Sequence, residues 1–239
     1  MSSKIGLNLT KHYSINFSLP KRNNKIIKFI IIHYTGMKKE TEAIQKLCNY
    51  NSKVSAHYFI KNSGEILNLV PDLYEAWHAG KSRWGNYKLL NKYSIGVEIQ
   101  NPGHEHNYKK FNFNQIASLK KLLNYLIKKY KIRKKNILGH SDVAPNRKKD
   151  PGEKFPWKEL AKDDLCYWHK LNDKIIKKLR KKSVNLKNRS IFIKNLSKLG
   201  YSNYSKKCVI KAFQRKFRQS LVDGKIDEEC FLISKNLLK

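Results

Sequence analysis

Residues Ile26 to His33 read IIKFIIIH. A short run of β-branched residues with polar flanks is the pattern of a buried strand rather than a helix. It delivers His33 at its carboxyl end. Working outward, Glu40 to Asn49 carries Ala43, Ile44, Leu47 and Cys48 at helical spacing. VSAHYFI (Val54 to Ile60) and EILNLV (Glu65 to Val70) read as two strands of a hairpin around the turn Asn62-Ser63-Gly64. A further strand, SIGVEIQN (Ser94 to Asn101), stops at Pro102-Gly103, which cannot continue a ladder.

From Asn114 to Tyr130 the residues Ile116, Leu119, Leu122, Leu123, Leu126 and Ile127 recur at i, i+3, i+4 intervals, which predicts an amphipathic helix with a lysine-rich outer face. NILGH then predicts a short strand ending at His140. The polar stretch SDVAPNRKKDPGEKFPW follows, and its prolines and glycine predict a site loop without regular structure. Strands and helices alternate without a strict βαβα order. The expectation is therefore an α/β domain, a single mixed β-sheet flanked by helices, closing near Trp168.

Beyond the basic segment Lys174 to Lys187, apolar residues resume helical spacing at Ile191, Leu196 and Leu199, at Val209, Ala212, Phe213 and Phe217, and from Cys230 to Leu238. These predict a small three-helix domain, with Asp227 placed to cap the last helix. About 50 residues bury a core only marginally, so docking on the first domain is expected. The chain thus divides into an N-terminal extension (1–25), a main domain (26–170), a basic linker or helix (171–188) and a helical domain (189–239).

Composition narrows the function. Lys+Arg number 51 against 18 Asp+Glu, a net charge of +33, which would attract nucleic acid, anionic lipid or an acidic wall polymer. The surplus is spread along the chain, is rich in Lys and comes with many Ile and Asn, a pattern that AT-rich codons produce. No nucleic-acid module is present, so no specific nucleic-acid partner is expected. The four cysteines, Cys48, Cys166, Cys208 and Cys230, form no C-x-x-C pair and are read as reduced structural thiols. The N-terminal residues lack the apolar core of a secretory signal, and no apolar run approaches the roughly 20 residues needed to span a bilayer.

Three residue types suited to a catalytic metal stand at strand ends or in loops: His33, His140 and Asp150. Two neutral imidazoles and a carboxylate, with a fourth position open to water, are a set that Zn²⁺ uses. Spacing by itself leaves the alternative of hydrogen-bonded structural histidines open. The surroundings add HYTG at His33, VSAHYFI at His57, AWHAG at His78, SIGVEIQN at Glu98 and GHSDVAPNRKKDPG from Gly139, in that order.

With these motifs, residues 26–168 resemble the zinc-dependent N-acetylmuramoyl-L-alanine amidases of the amidase-2 type, notably the bacterial amidase D group and the cytosolic enzymes that recycle anhydromuropeptides. The resemblance implies an amidase-2 or peptidoglycan-recognition-like sheet fold and one Zn²⁺ per chain on His33, His140 and Asp150. It implies Glu98 as the catalytic carboxylate and Lys148 beside the reacting carbonyl, with Arg147 as the alternative should Lys148 and Lys149 both be solvated. Peptidoglycan or muropeptides become the expected partners, and Tyr34, Trp77, His78, Asn101 and Arg147 the expected substrate-binding residues. His57 is read as structural, and His104, His106 and His169 as surface residues.

The segment LSKLGYSNY…CVIKAFQRKFRQSLVDGKID is similar to a peptidoglycan-binding three-helix module. Absence of a secretory signal favours the cytoplasm, whereas a wall-binding module favours the envelope. The competing reading is a noncatalytic muropeptide-recognition protein. Members of that class lack the third ligand, which here is Asp150.

Overall fold

The computed structural model describes residues 9–202 and 204–239; residues 1–8 of the expected N-terminal extension lie outside them. In chain order the elements are β1 (Leu9–Lys11), β2 (Phe17–Ser18), β3 (Phe29–Tyr34), α1 (Glu40–Cys48), β4 (Tyr58–Ile60), β5 (Ile66–Asn68), β6 (Glu75–Ala76), β7 (Arg83–Trp84), β8 (Tyr87–Lys88) and β9 (Ser94–Ile99). There follow α2 (Phe113–Tyr130), β10 (Ile137–Gly139), α3 (His140–Val143), α4 (Trp157–Lys162), α5 (Asp173–Lys177), α6 (Leu186–Leu199), α7 (Lys206–Phe217) and α8 (Glu228–Asn236). Six strands form one sheet in the order β1-β5-β4-β9-β3-β10. β3 is parallel to β9 and β10, and β4 is parallel to β9 but antiparallel to β5. The sheet is mixed, as the element pattern predicts.

Alternation along the strands sorts the core into two faces. Ile30, Ile32, Ile95, Val97 and Ile99 pack with Ile116, Leu119 and Leu123 of α2. Phe29, Ile31 and Leu138 point the other way and share a core with Phe192, Leu196 and Phe213 of the C-terminal helices. Farther along the sheet, Phe59 and Leu67 lie with Ala43 and Leu47 of α1. Burial on both faces explains why β3 reads as an unbroken apolar run. It also makes the C-terminal helices a third layer of the fold rather than an appended bead.

The long helix starts one residue before its predicted first residue, because Asn112 and Gln115 form a capping box. Three expectations need correcting. The N-terminal extension is built into the domain from residue 9 onward: β1 pairs with β5 in the main sheet, β2 pairs with β6 in a separate two-stranded ribbon, and Arg22 donates to the carbonyls of Asn91 and Ser94 at 2.7 and 2.8 Å. The predicted irregular loop begins with a helical turn, α3, because the Asp142 carboxylate accepts the Gly139 N–H at 2.8 Å and closes it. The basic segment 171–188 holds the short α5 and the first residues of α6, which starts at Leu186 ahead of the expected boundary, and it is tied to α8 by the bidentate Arg180–Glu229 pair. Asp227 caps α8 through the Cys230 N–H, as expected. No helix among the described residues is long and apolar enough to cross a membrane.

Candidate active site

The site lies at the carboxyl ends of β3, β9 and β10. β3 carries His33 near its end, β10 runs straight into α3, whose first residue is His140, and the following loop returns Asp150. His33 Nδ1 lies 2.9 Å from His140 Nδ1 and 3.0 Å from Asp150 Oδ2, and His140 Nδ1 is also 3.0 Å from that oxygen. Buried among them, the three donor atoms converge on one point, as ligands of a single metal ion do.

Hydrogen-bond partners on the far side of each ring set the tautomers. His140 Nε2 sits 3.2 Å from the Ala79 carbonyl, an acceptor for a proton on Nε2 that would leave Nδ1 to offer its lone pair to the centre. For His33 the tautomer is set through a chain of hydrogen bonds. Ser94 Oγ donates to the Leu90 carbonyl at 2.5 Å and so accepts from His78 Nε2 at 3.2 Å; His78 Nδ1 then accepts from His33 Nε2 at 3.0 Å. The lone pair of His33 therefore also faces the centre. Gly96 makes room for this chain, since a Cβ there would lie 2.4 Å from the His78 ring.

Electrostatics favour the same protonation states. Burial, followed by the neighbouring His140, lowers His33 to about 4, and burial with His33 nearby holds His78 well below its ordinary value. Burial alone would raise the Asp150 carboxyl, but charge and hydrogen bonding from His140 and His33 outweigh it and hold it well below the usual carboxylate range. At neutral pH His33 is a neutral imidazole and Asp150 a carboxylate, the protonation states that metal binding requires.

These residues open into a cleft of about 310 Å³. Glu98 lies on its floor, directly opposite His33 in the β3–β9 register. Its Oε2 is shut off from solvent and has no hydrogen-bond partner among the described residues. Burial, then the charge of Asp150, raises its carboxyl to about 8. A carboxyl poised near neutrality beside a metal-type cluster is suited to exchanging protons. Lys148 also lines the cleft, as does an apolar wall that includes Met37, Leu47 and Val54.

Of the expected substrate-binding residues, Tyr34, Trp77, His78 and Arg147 line the cleft. Two carry structural duties that the sequence did not reveal. The Arg147 guanidinium is engaged by the carbonyls of Ala79 and Lys81, pinning the loop that supports His140. Asn101 is buried, its side chain donating to the Lys109 carbonyl and accepting from the Gly103 N–H. His57 accepts the Gly96 N–H through Nδ1 and donates to the Tyr74 carbonyl, a structural residue as read.

His104 is not a plain surface residue: it links the Tyr34 hydroxyl at 2.8 Å to Glu153 at 3.1 Å. His104 is half-buried and His169 buried, whereas His106 is exposed. The partnership of His78 with His33 was missed by sequence reasoning. The only signal for it was the occurrence of a second histidine motif, AWHAG, among the site motifs.

A mixed sheet with a cleft at its strand ends, two histidines and an aspartate converging there and a buried carboxyl alongside define a metal-site hydrolase of the α/β class. Residues 22–153 match the family described as N-acetylmuramoyl-L-alanine amidase. N-acetylmuramoyl-L-alanine amidase AmiD of Escherichia coli K12 is 32% identical over 235 residues, covering 89% of this chain and 83% of that protein. Its structure, in complex with anhydro-N-acetylmuramic acid-L-Ala-D-gamma-Glu-L-Lys, superposes with a TM-score of 0.78 at 30% identity, over 92% of this chain and 91% of that one. The 1,6-anhydro-N-acetylmuramyl-L-alanine amidase AmpD of Haemophilus influenzae is 39% identical over 109 residues, 45% of this chain and 57% of that protein. The chain belongs to the N-acetylmuramoyl-L-alanine amidase family, and its fold is that of the family.

Proposed function

We propose that this chain hydrolyses the amide bond between N-acetylmuramic acid, including its 1,6-anhydro form, and L-alanine in muropeptides or peptidoglycan, using one Zn²⁺ held by His33, His140 and Asp150. The observation that carries the reading is the convergence of three donor atoms at 2.9–3.0 Å in the cleft that Glu98 also lines, its Oε2 without a hydrogen-bond partner among the described residues. Ligands 2.0–2.1 Å from a tetrahedral ion lie about 3.3 Å apart, so the cluster needs to open by only a few tenths of an ångström. When bound, zinc supplies Lewis acidity that lowers the pKa of a water and polarises the amide carbonyl.

The remaining roles belong to the chain. Glu98 takes the proton of the attacking water and delivers it to the leaving nitrogen, a cycle that a carboxyl raised towards neutrality performs in both directions. Lys148 places a cation in the cleft for the oxyanion that develops in the transition state. Trp77 and the apolar wall hold the substrate and limit water. His78 and Ser94 keep His33 in its ligand tautomer. The C-terminal helices are read as adding affinity for polymeric wall.

The test is digestion of anhydro and intact muropeptides with products identified by mass. A free stem peptide beginning at L-alanine supports the amidase reading. Zinc binding without cleavage of either substrate leaves the noncatalytic recognition reading in its place. Co-sedimentation with insoluble peptidoglycan, lost when the C-terminal surface is altered, tests the wall-binding role.

A further inference from the structure

We propose that Tyr201, in the connection between α6 and α7, and Lys216 of α7 are positioning residues for the metal centre, acting on it through Asp142. The inference rests on the metal-centre reading above. Asp142 sits in the α3 turn, two residues after the ligand His140, and is buried. Its Oδ2 accepts the Gly139 N–H at 2.8 Å and meets Lys216 Nζ at 3.3 Å, while its Oδ1 accepts the Tyr201 hydroxyl at 2.7 Å. Lys216 Nζ also donates to the carbonyl of Ile137 in β10 at 2.8 Å. One side chain of α7 therefore joins the strand that leads into His140 to the turn that begins with it.

Tyr204 adds a bond to the Val143 carbonyl at 3.3 Å. Within the same turn, the Ser141 N–H donates to the Asp150 backbone carbonyl at 2.8 Å, so the clamp bears on two of the three ligand residues.

Docking alone does not account for these contacts. The apolar core shared by Phe29, Ile31, Phe192 and Phe213 already joins the helices to the sheet. Lys216 is 4% exposed and Asp142 1%. Burying such a pair carries a desolvation cost, and apolar residues of similar size commonly do as well or better for stability. What the polar pair adds is direction: it holds a ligand-bearing turn to within the few tenths of an ångström that a metal centre needs.

The experiment uses the full chain with Tyr201→Phe, Lys216→Met and, as control, Glu229→Gln, which weakens the Arg180 pair away from the turn. Fold is checked by circular dichroism. Co²⁺ affinity is measured by competition with a chelator, the cobalt spectrum is recorded, and Gly139 amide exchange is followed in the metal-free protein. Tyr201→Phe and Lys216→Met should fold, bind cobalt about tenfold or more weakly, change its spectrum and speed Gly139 exchange. Glu229→Gln should lower the melting temperature only.

If the first two variants lower melting but leave affinity, spectrum and Gly139 exchange at wild-type values, the contacts are structural and the proposal fails. Should Lys216→Met not fold, Tyr201→Phe decides, because it keeps the ring and removes one hydroxyl. If wild-type protein binds no cobalt, the metal-centre reading fails, and Gly139 exchange still decides whether the clamp orders the turn.

Discussion

His33 and Glu98 stand opposite one another in register at the carboxyl ends of the adjacent parallel strands β3 and β9. Registered neighbours project from the same face of a sheet, so the backbone ladder itself holds the first candidate ligand beside the candidate base. No flexible loop intervenes between them. The chemistry is thereby tied to the best-packed part of the molecule, where Ile30, Ile31 and Ile32 are fully buried.

Glu98 should trade stability for activity. Its carboxyl is raised from 4.5 to about 8, so its neutral form is favoured in the folded protein. The stability associated with that form is complete below the ordinary carboxyl range and is lost as pH rises through about 8. Metal-free Glu98→Gln should therefore melt above wild type, by a margin that widens from about pH 5 to pH 9. Its hydrolysis should fall about 10²- to 10⁴-fold. Parallel melting curves for the two proteins across that range would refute the buried-carboxyl account.

His78 should matter for metal rather than for substrate. His78→Ala breaks the chain from Ser94 to His33 Nε2 and is expected to weaken zinc about 10- to 100-fold. Competition with a chromogenic chelator reads this directly. Unchanged zinc affinity with a raised KM would instead make His78 a groove residue.

Lys148 should act on the transition state. Lys148→Met is predicted to lower kcat about 10²- to 10³-fold with zinc content retained. An effect confined to KM would move Lys148 to substrate binding.

Much of this was legible in the sequence, and the reasons differ by element. β3 announced itself because burial on both faces requires a continuous apolar run, and α2 because one face of a long helix meets a sheet. His33, Glu98, His140 and Asp150 were marked by ordered motifs around them. β1 was not legible: LTK is short and largely exposed, and only its pairing with β5 makes it a strand.

Contacts between residues far apart in sequence also escaped. His33 meets His78 across 45 positions, and Asp142 meets Lys216 across 74. Periodicity carries no information about such pairs. Arg147 lines the cleft, and the neighbouring carbonyls that engage its guanidinium lie 66 positions away or more, so they too escape a reading of the sequence.

The shared core predicts that the C-terminal helices cannot be removed cleanly. Truncation after residue 170 exposes Phe29, Ile31 and Leu138 and should give an aggregating protein. In the full chain Phe213→Ala should cost about 3–5 kcal/mol while urea unfolding stays a single transition. Two separated transitions would mean that the helices and the sheet fold independently.

The most direct measurement is a zinc titration of chelated protein with muropeptide hydrolysis followed at each step. The account predicts no cleavage without metal and activity rising linearly to a plateau at one zinc per chain, with Asp150→Ala failing to recover at any such ratio. Full activity in the chelated protein, or a plateau at two zinc per chain, would contradict a single centre built from His33, His140 and Asp150.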